Sequence, residues 1–159
     1  MSLALREAIV AAPVTQRIGV LAGIAFLTVG LIQVAVVMLP MQLGAPEWEL
    51  AAFGELSGSF GSAAIGTAIL GWFALSGRGI GLAAAAMGGS IFFGVVTVLG
   101  LLTIGLNLPM VFQATASEVS GAAEFRVAVV KMLLLTAVYL VLFFSQTFVL
   151  ISARNRQNG

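Results

Sequence analysis

Cysteine, histidine and aspartate are all missing from this chain of 159 residues. Without cysteine there is no disulfide, no thiol nucleophile and no thiolate metal site. Without histidine the usual metal and haem ligand is gone, together with the side chain that titrates nearest neutrality. Charge of either sign is scarce. Asp, Glu, Lys and Arg make up 8% of the residues, against roughly 25% in a soluble domain, so a water-facing surface cannot be assembled from this composition. The net charge of +1 and the lack of any basic cluster give no footing for a nucleic-acid partner.

What the chain has instead is apolar surface: 60% of the residues are hydrophobic and the mean hydropathy is +1.14. The few charges are unevenly placed. None occurs from Ile18 to Pro46, from Leu56 to Gly77, from Gly79 to Ser117, or from Met132 to Ala153. A helix rising about 1.5 Å per residue needs about 20 apolar residues to cross a hydrocarbon core of roughly 30 Å. Each stretch suffices for one crossing, and none comfortably holds two. The runs are continuous, whereas a membrane barrel needs alternation. The predicted fold class is therefore an all-α integral membrane protein, one four-helix transmembrane domain over residues 1–159 with spans at about 18–39, 56–75, 80–106 and 131–151. The first run is longer than a signal-peptide core and ends at Leu39-Pro40 without a small-x-small site, so it reads as a retained helix.

Local signals refine the boundaries. Met1 to Gln16 reads either as a short interfacial helix ended by Pro13 or as a frayed tail. Pro40 stops the first span. Pro46-Glu47-Trp48-Glu49 is a helix start: proline lacks only an N–H that would be unpaired there, and carboxylates suit the positive end of the helix dipole. Ser76-Gly77-Arg78-Gly79 is long enough only for a tight turn, which makes helices two and three an antiparallel hairpin. Asn107 and Pro109 mark the exit of the third span. Met110 to Ala123 reads as a modest external loop, in part helical, before a fourth helix beginning near Ala122.

Orientation follows from the cations, because loops rich in Lys and Arg stay in the cytoplasm. One side carries Arg6, Arg17, Arg78, Arg154 and Arg156 with a single Glu7. The other carries Glu47, Glu49, Glu55, Glu118 and Glu124 with Arg126 and Lys131. Both termini are thus expected inside, with Trp48 and Trp72 near opposite interfaces.

The membrane centre contains no ionisable group, the feature that usually marks proton transport, ion pumping or acid–base catalysis in such proteins. Lys131 lies at the outer margin of helix four, where its stem can snorkel to the head groups or pair with Glu55 or Glu124. Glu47, Trp48 and Glu49 are candidates for external contact as well as a dipole-matched helix start. Gln33, Asn107 and Gln146 are the candidate intramembrane hydrogen-bonding residues, as bonds between helices or as substrate contacts. Tyr139, Phe143, Phe144 and Phe148 read as packing or lipid-facing surface. Small residues recur at four-residue spacing: Gly54, Gly58, Ser62 and Gly66 in helix two, Gly81, Ala85 and Gly89 in helix three, Gly19 and Gly23 in helix one. Such stripes let helices approach closely, and the second and third are expected to face each other across the hairpin.

The first span ending in Pro40, the short loop, the Pro46-Glu47-Trp48-Glu49-Leu50 start and the hairpin resemble the small four-span proteins of the HpsJ type. These are associated with hormogonium polysaccharide secretion in filamentous cyanobacteria. The exit at Gly105-Leu106-Asn107-Leu108 and the Arg126 to Lys131 entry to helix four are similar to the same outline. The resemblance implies a non-enzymatic membrane component serving envelope export or a larger assembly. It carries over no catalytic residue, and Met110 to Ala123 is shorter than the polar loop of that family.

The expected function is a non-catalytic accessory or scaffold subunit of a bacterial inner-membrane complex, multi-pass, with other membrane subunits as partners besides the bilayer. No catalytic, metal or cofactor-binding residue is expected, and a bound lipid, quinone or pigment stays open. Two rivals remain. One is a small oligomeric channel or carrier lined by Gln33, Asn107 or Gln146. The other is a membrane enzyme acting on lipid-linked sugars through Glu47, Glu49 and Glu55.

Overall fold

In lipid every backbone N–H and C=O must find its partner within the protein, and an apolar chain meets that demand most simply as helix. The computed structural model is all-helical. It describes residues 14–39, 42, 45–76, 80–117 and 122–158, and within these the side chains other than those of 15, 46, 47, 110–117, 122–126 and 157–158. Four helices follow one another: α1 (Val14–Val37), α2 (Pro46–Leu75), α3 (Ile80–Ser117) and α4 (Ala122–Asn158). Each contains a segment long and apolar enough to cross a membrane, so the chain is read as a multi-pass membrane protein.

α2 begins on its proline. Ala45 is extended (φ −99°, ψ 100°) and offers no side-chain cap; its carbonyl accepts the first helical bond, from the Glu49 N–H at 3.0 Å. At the far end Ser76 closes the helix by donating both its N–H and its hydroxyl to the Trp72 carbonyl. α3 departs from the sequence reading. Asn107 and Pro109 do not end it; Pro109 sits inside the helix, which continues to Ser117. A helical proline removes one N–H and crowds the carbonyl four residues earlier. Here that residue is Gly105. The expected external loop of Met110 to Ala123 is correspondingly reduced, since 110–117 are helical.

α2 is the hub, packing against each of the other three helices, while α3 and α4 also pack together and α1 lies chiefly on α2. Gly54 meets Met132, Gly61 meets Tyr139 and Gly71 meets Leu150, so α2 and α4 run in the same direction. The α2–α3 contacts run oppositely, from Phe53 beside Gly100 to Thr67 beside Gly89. The central core gathers Val34, Leu56, Phe60, Ala63, Phe93 and Phe143. Phe60 is its centre: its ring meets those of Phe93, Tyr139 and Phe143 edge-to-face, and Phe93 stacks on Phe143 with centroids 5.7 Å apart. Such pairs add about 0.5–1.5 kcal/mol each beyond area burial. Val20, Leu70, Leu82, Ala86 and Leu150 form one end of the core, Ile104 and Val129 the other.

The closest helix approach is between α1 and α2. A Cβ at Gly66 would lie 2.5 Å from the Leu27 nitrogen and 2.9 Å from the Gly23 carbonyl oxygen, and one at Gly30 would lie 2.8 Å from the Ala63 Cβ. Gly23 in turn abuts Leu70, and Gly19 abuts Phe73. The small residues of α2 therefore do not form one face toward α3. Gly54 opens to α4, Gly58 is exposed with nothing near it, Ser62 and Gly66 turn to α1. The geometry explains the difference: with 3.6 residues per turn, each four-residue step drifts about 40°, so three steps wrap about a third of the way round the helix. On α3, Gly81 is exposed, Ala85 joins the end of the core at Leu82, and Gly89 meets Thr67 and Leu27.

Candidate functional site

The polar side chains inside an apolar bundle are where chemistry or recognition could reside, because each must be satisfied without water. They form three levels along α2. Innermost is Gln146 of α4. Its Oε1 accepts from the Thr67 hydroxyl of α2 at 2.7 Å and from the Ser90 hydroxyl of α3 at 3.1 Å, and its Nε2 donates to the Ala64 carbonyl at 3.3 Å. That carbonyl fixes the amide orientation, since the reverse assignment would set two acceptors against each other. One amide thus ties three helices together. Thr67 and Ser90 are each almost wholly buried.

The next level joins α1 to α2. The Ser62 hydroxyl lies 3.1 Å from Gln33 Oε1 and 2.8 Å from the Ser59 carbonyl, and its single proton serves one of these at a time. The outermost level joins α3 to α2: Asn107 Nδ2 donates to Glu49 Oε2 at 2.9 Å and to the Thr103 carbonyl at 3.0 Å. A carboxylate accepting from a neutral amide is a charge-assisted bond, stronger than its neutral counterparts. The three residues singled out in the sequence therefore each bridge to another helix, and the structure does not bring them together into one site. Thr67 and Ser90 were not singled out. Hydroxyl residues in helices routinely bond their own backbone, and Ala63 offers Thr67 such an alternative acceptor at 2.9 Å, so nothing in their sequence setting distinguishes them.

Of the charged candidates, Glu49 belongs to this ladder as the acceptor from Asn107. Glu55 and Lys131 are exposed, Trp48 is half-buried, and the side chain of Glu47 lies outside the described residues, as do those of Glu118, Glu124, Arg126 and Arg78. The proposed carboxylate cluster of Glu47, Glu49 and Glu55 is accordingly not described as a whole. Among the described residues no group of three or more potential metal ligands is assembled.

Among the described residues, recesses open on the bundle surface at two places. The larger, about 660 Å³, lies between the first halves of α2 and α4, with Gly54, Ser57, Val129, Lys131 and Met132 among its lining residues. The smaller, about 200 Å³, lies between α3 and α4 beside Ser90, Gly94 and Phe143 and is almost entirely apolar. At the opposite end of the bundle Gln16 Oε1 is buried without a hydrogen-bond partner. No family model, curated protein or solved structure matches the chain.

Proposed function

We propose that this chain is a non-catalytic accessory or scaffold subunit of a bacterial inner-membrane complex, with both termini cytoplasmic and α2 and α3 joined as a tight antiparallel hairpin. One observation carries the reading. Two amides within the apolar segments bond from helix to helix, Gln146 to Thr67, Ser90 and Ala64, and Gln33 to Ser62. Groups so engaged build a bundle and are not aligned along a path for a solute. Helix α1, held mainly by α2, and the long outward faces of α3 and α4 leave room for neighbouring subunits. The cations at one end and carboxylates at the other support the inward termini. The resemblance to HpsJ-type proteins supports envelope polysaccharide export as the process served.

The reading is tested by extracting the tagged chain from its own membrane in a mild detergent and weighing the particle by native electrophoresis and mass photometry. Co-migration with a second membrane protein in fixed ratio is expected. A chain that runs alone as a monomer sinks the proposal.

A further inference from the structure

Independent of that reading, α1 carries an amide that the chain satisfies in part only. Gln33 Oε1 lies 3.1 Å from the Ser62 hydroxyl of α2, and Gln33 makes no other hydrogen bond among the described residues. Ser62 has a second acceptor in the Ser59 carbonyl at 2.8 Å, so the amide can equally be turned to donate to the hydroxyl. In either orientation one N–H and one carbonyl lone pair of Gln33 are left over. The side chain is half-buried, with exposed Phe26, Val29 and Val36 on the same flank of α1. The apolar run ends at Leu39, six residues further on, or about 9 Å along the helix. Gln33 thus lies in hydrocarbon, which offers neither donor nor acceptor, and is too short to snorkel out of it.

The flank has a register of its own. Ala22, Phe26, Val29, Gln33 and Val36 follow one another at steps of four, three, four and three, the spacing of a left-handed coiled-coil seam, with Gln33 its one polar member. The contacts of α1 are chiefly with α2, which leaves this row to meet another helix. Depth and the amide itself decide which. Every copy of a multi-pass chain inserts the same way round, so Gln33 of a second copy stands at the same depth without adjustment. An amide is also its own complement. Two of them across a twofold axis along the membrane normal exchange one N–H···O bond in each direction. An unrelated helix would need its own donor and acceptor at that depth, and lipid tails have neither. We propose that two copies of this chain pair through this row of α1, with their Gln33 side chains bonded to one another.

The test uses the intact chain in its own membrane, oxidised with iodine, which enters the bilayer, and read on a non-reducing gel. The natural sequence has no cysteine, so a single one reports alone. Val29→Cys, on the row, should link two copies into a disulfide dimer. Leu31→Cys, similarly exposed but about 160° away round the helix, should not. Adding Gln33→Leu to Val29→Cys should slow the link about threefold or more, the least that an interhelical bond contributes. The fold is checked in a separate chain with cysteines at Gly30 and Ala63, whose Cβ atoms would start 2.8 Å apart. Its internal bridge should form as fully with Gln33→Leu as without, since Ser62 keeps the Ser59 carbonyl. Undiminished linking of Val29→Cys in the Gln33→Leu background overturns the proposal. So does linking of Leu31→Cys as fast as Val29→Cys, or a Val29→Cys chain that stays single or links only to a different protein.

Discussion

Gln146 bonds to both α2 and α3, and its replacement separates two effects. Leucine at this position removes the acceptor shared by Thr67 and Ser90 and the donor to Ala64. Thr67 then falls back wholly on its own helix, where Ala63 and Ala64 offer carbonyls at 2.9 and 3.1 Å. Ser90 has no second acceptor among the described bonds, and the cost is about 0.6–2 kcal/mol in a detergent or bilayer unfolding assay. Gln146→Glu keeps shape and acceptor but, when ionised, sets a carboxylate against the Ala64 carbonyl within the apolar segment of α4. In that form it should cost more, about 2.5–3.5 kcal/mol on insertion scales, measured in the same assay. A glutamate variant as stable as the leucine one at every pH would show that the carboxyl is held protonated there, donating to Ala64, or is reached by water. The sequence marked Gln146 as a bridging residue because an amide in lipid needs a partner. Its partners were silent, since a serine or threonine in a membrane helix looks the same whether it bonds outward or backward.

At the scale of the helix, the α1–α2 seam is the tightest contact and the one most open to a direct experiment. The natural chain has no cysteine, so any introduced pair reports alone. Cysteines at Gly30 and Ala63 should form a disulfide readily on mild oxidation: their Cβ atoms would start 2.8 Å apart and need only relax toward the roughly 3.5–4.5 Å of a normal bridge. Adding Gly66→Leu should abolish that cross-link, because the new side chain would drive into the backbone of Gly23 and Leu27, which has no rotamer with which to yield. Cross-linking at an undiminished rate would refute the seam. Helix boundaries were readable in the sequence where a terminus has its own chemistry, as at Pro46. They were not readable at Pro109, a residue that usually ends helices but here lies inside one. The facing of the small-residue stripes was likewise hidden, because spacing alone does not state how far a row has rotated by the time it meets a neighbour.

For the molecule as a whole, the division of charge predicts the topology. Single cysteines at Ser76 and Arg156 should react with a membrane-impermeant thiol reagent only from the cytoplasmic side, and one at Ala45 only from the opposite side. The reverse pattern would invert the molecule, and labelling of Ser76 and Ala45 from the same side would remove the crossing by α2. The number of helices was legible from four charge-free runs, since the bilayer dictates the length an apolar segment must have. The arrangement about α2 was not, because lipid is as apolar as the side chains it competes with and hydropathy cannot choose between neighbours.

The three-helix junction at Gln146 also bears on the order in which the protein is built. α4 emerges last from the ribosome, and it alone brings an amide to that depth. Until it arrives, the Thr67 proton can rest on the Ala63 carbonyl, so the threonine of a nascent α2–α3 pair can wait in the bilayer without an orphaned hydroxyl proton. The late-coming amide has no comparable refuge on its own helix among the bonds described. The arrival of α4 thus satisfies its own amide and the Ser90 hydroxyl together, at a position where α2 and α3 already lie side by side.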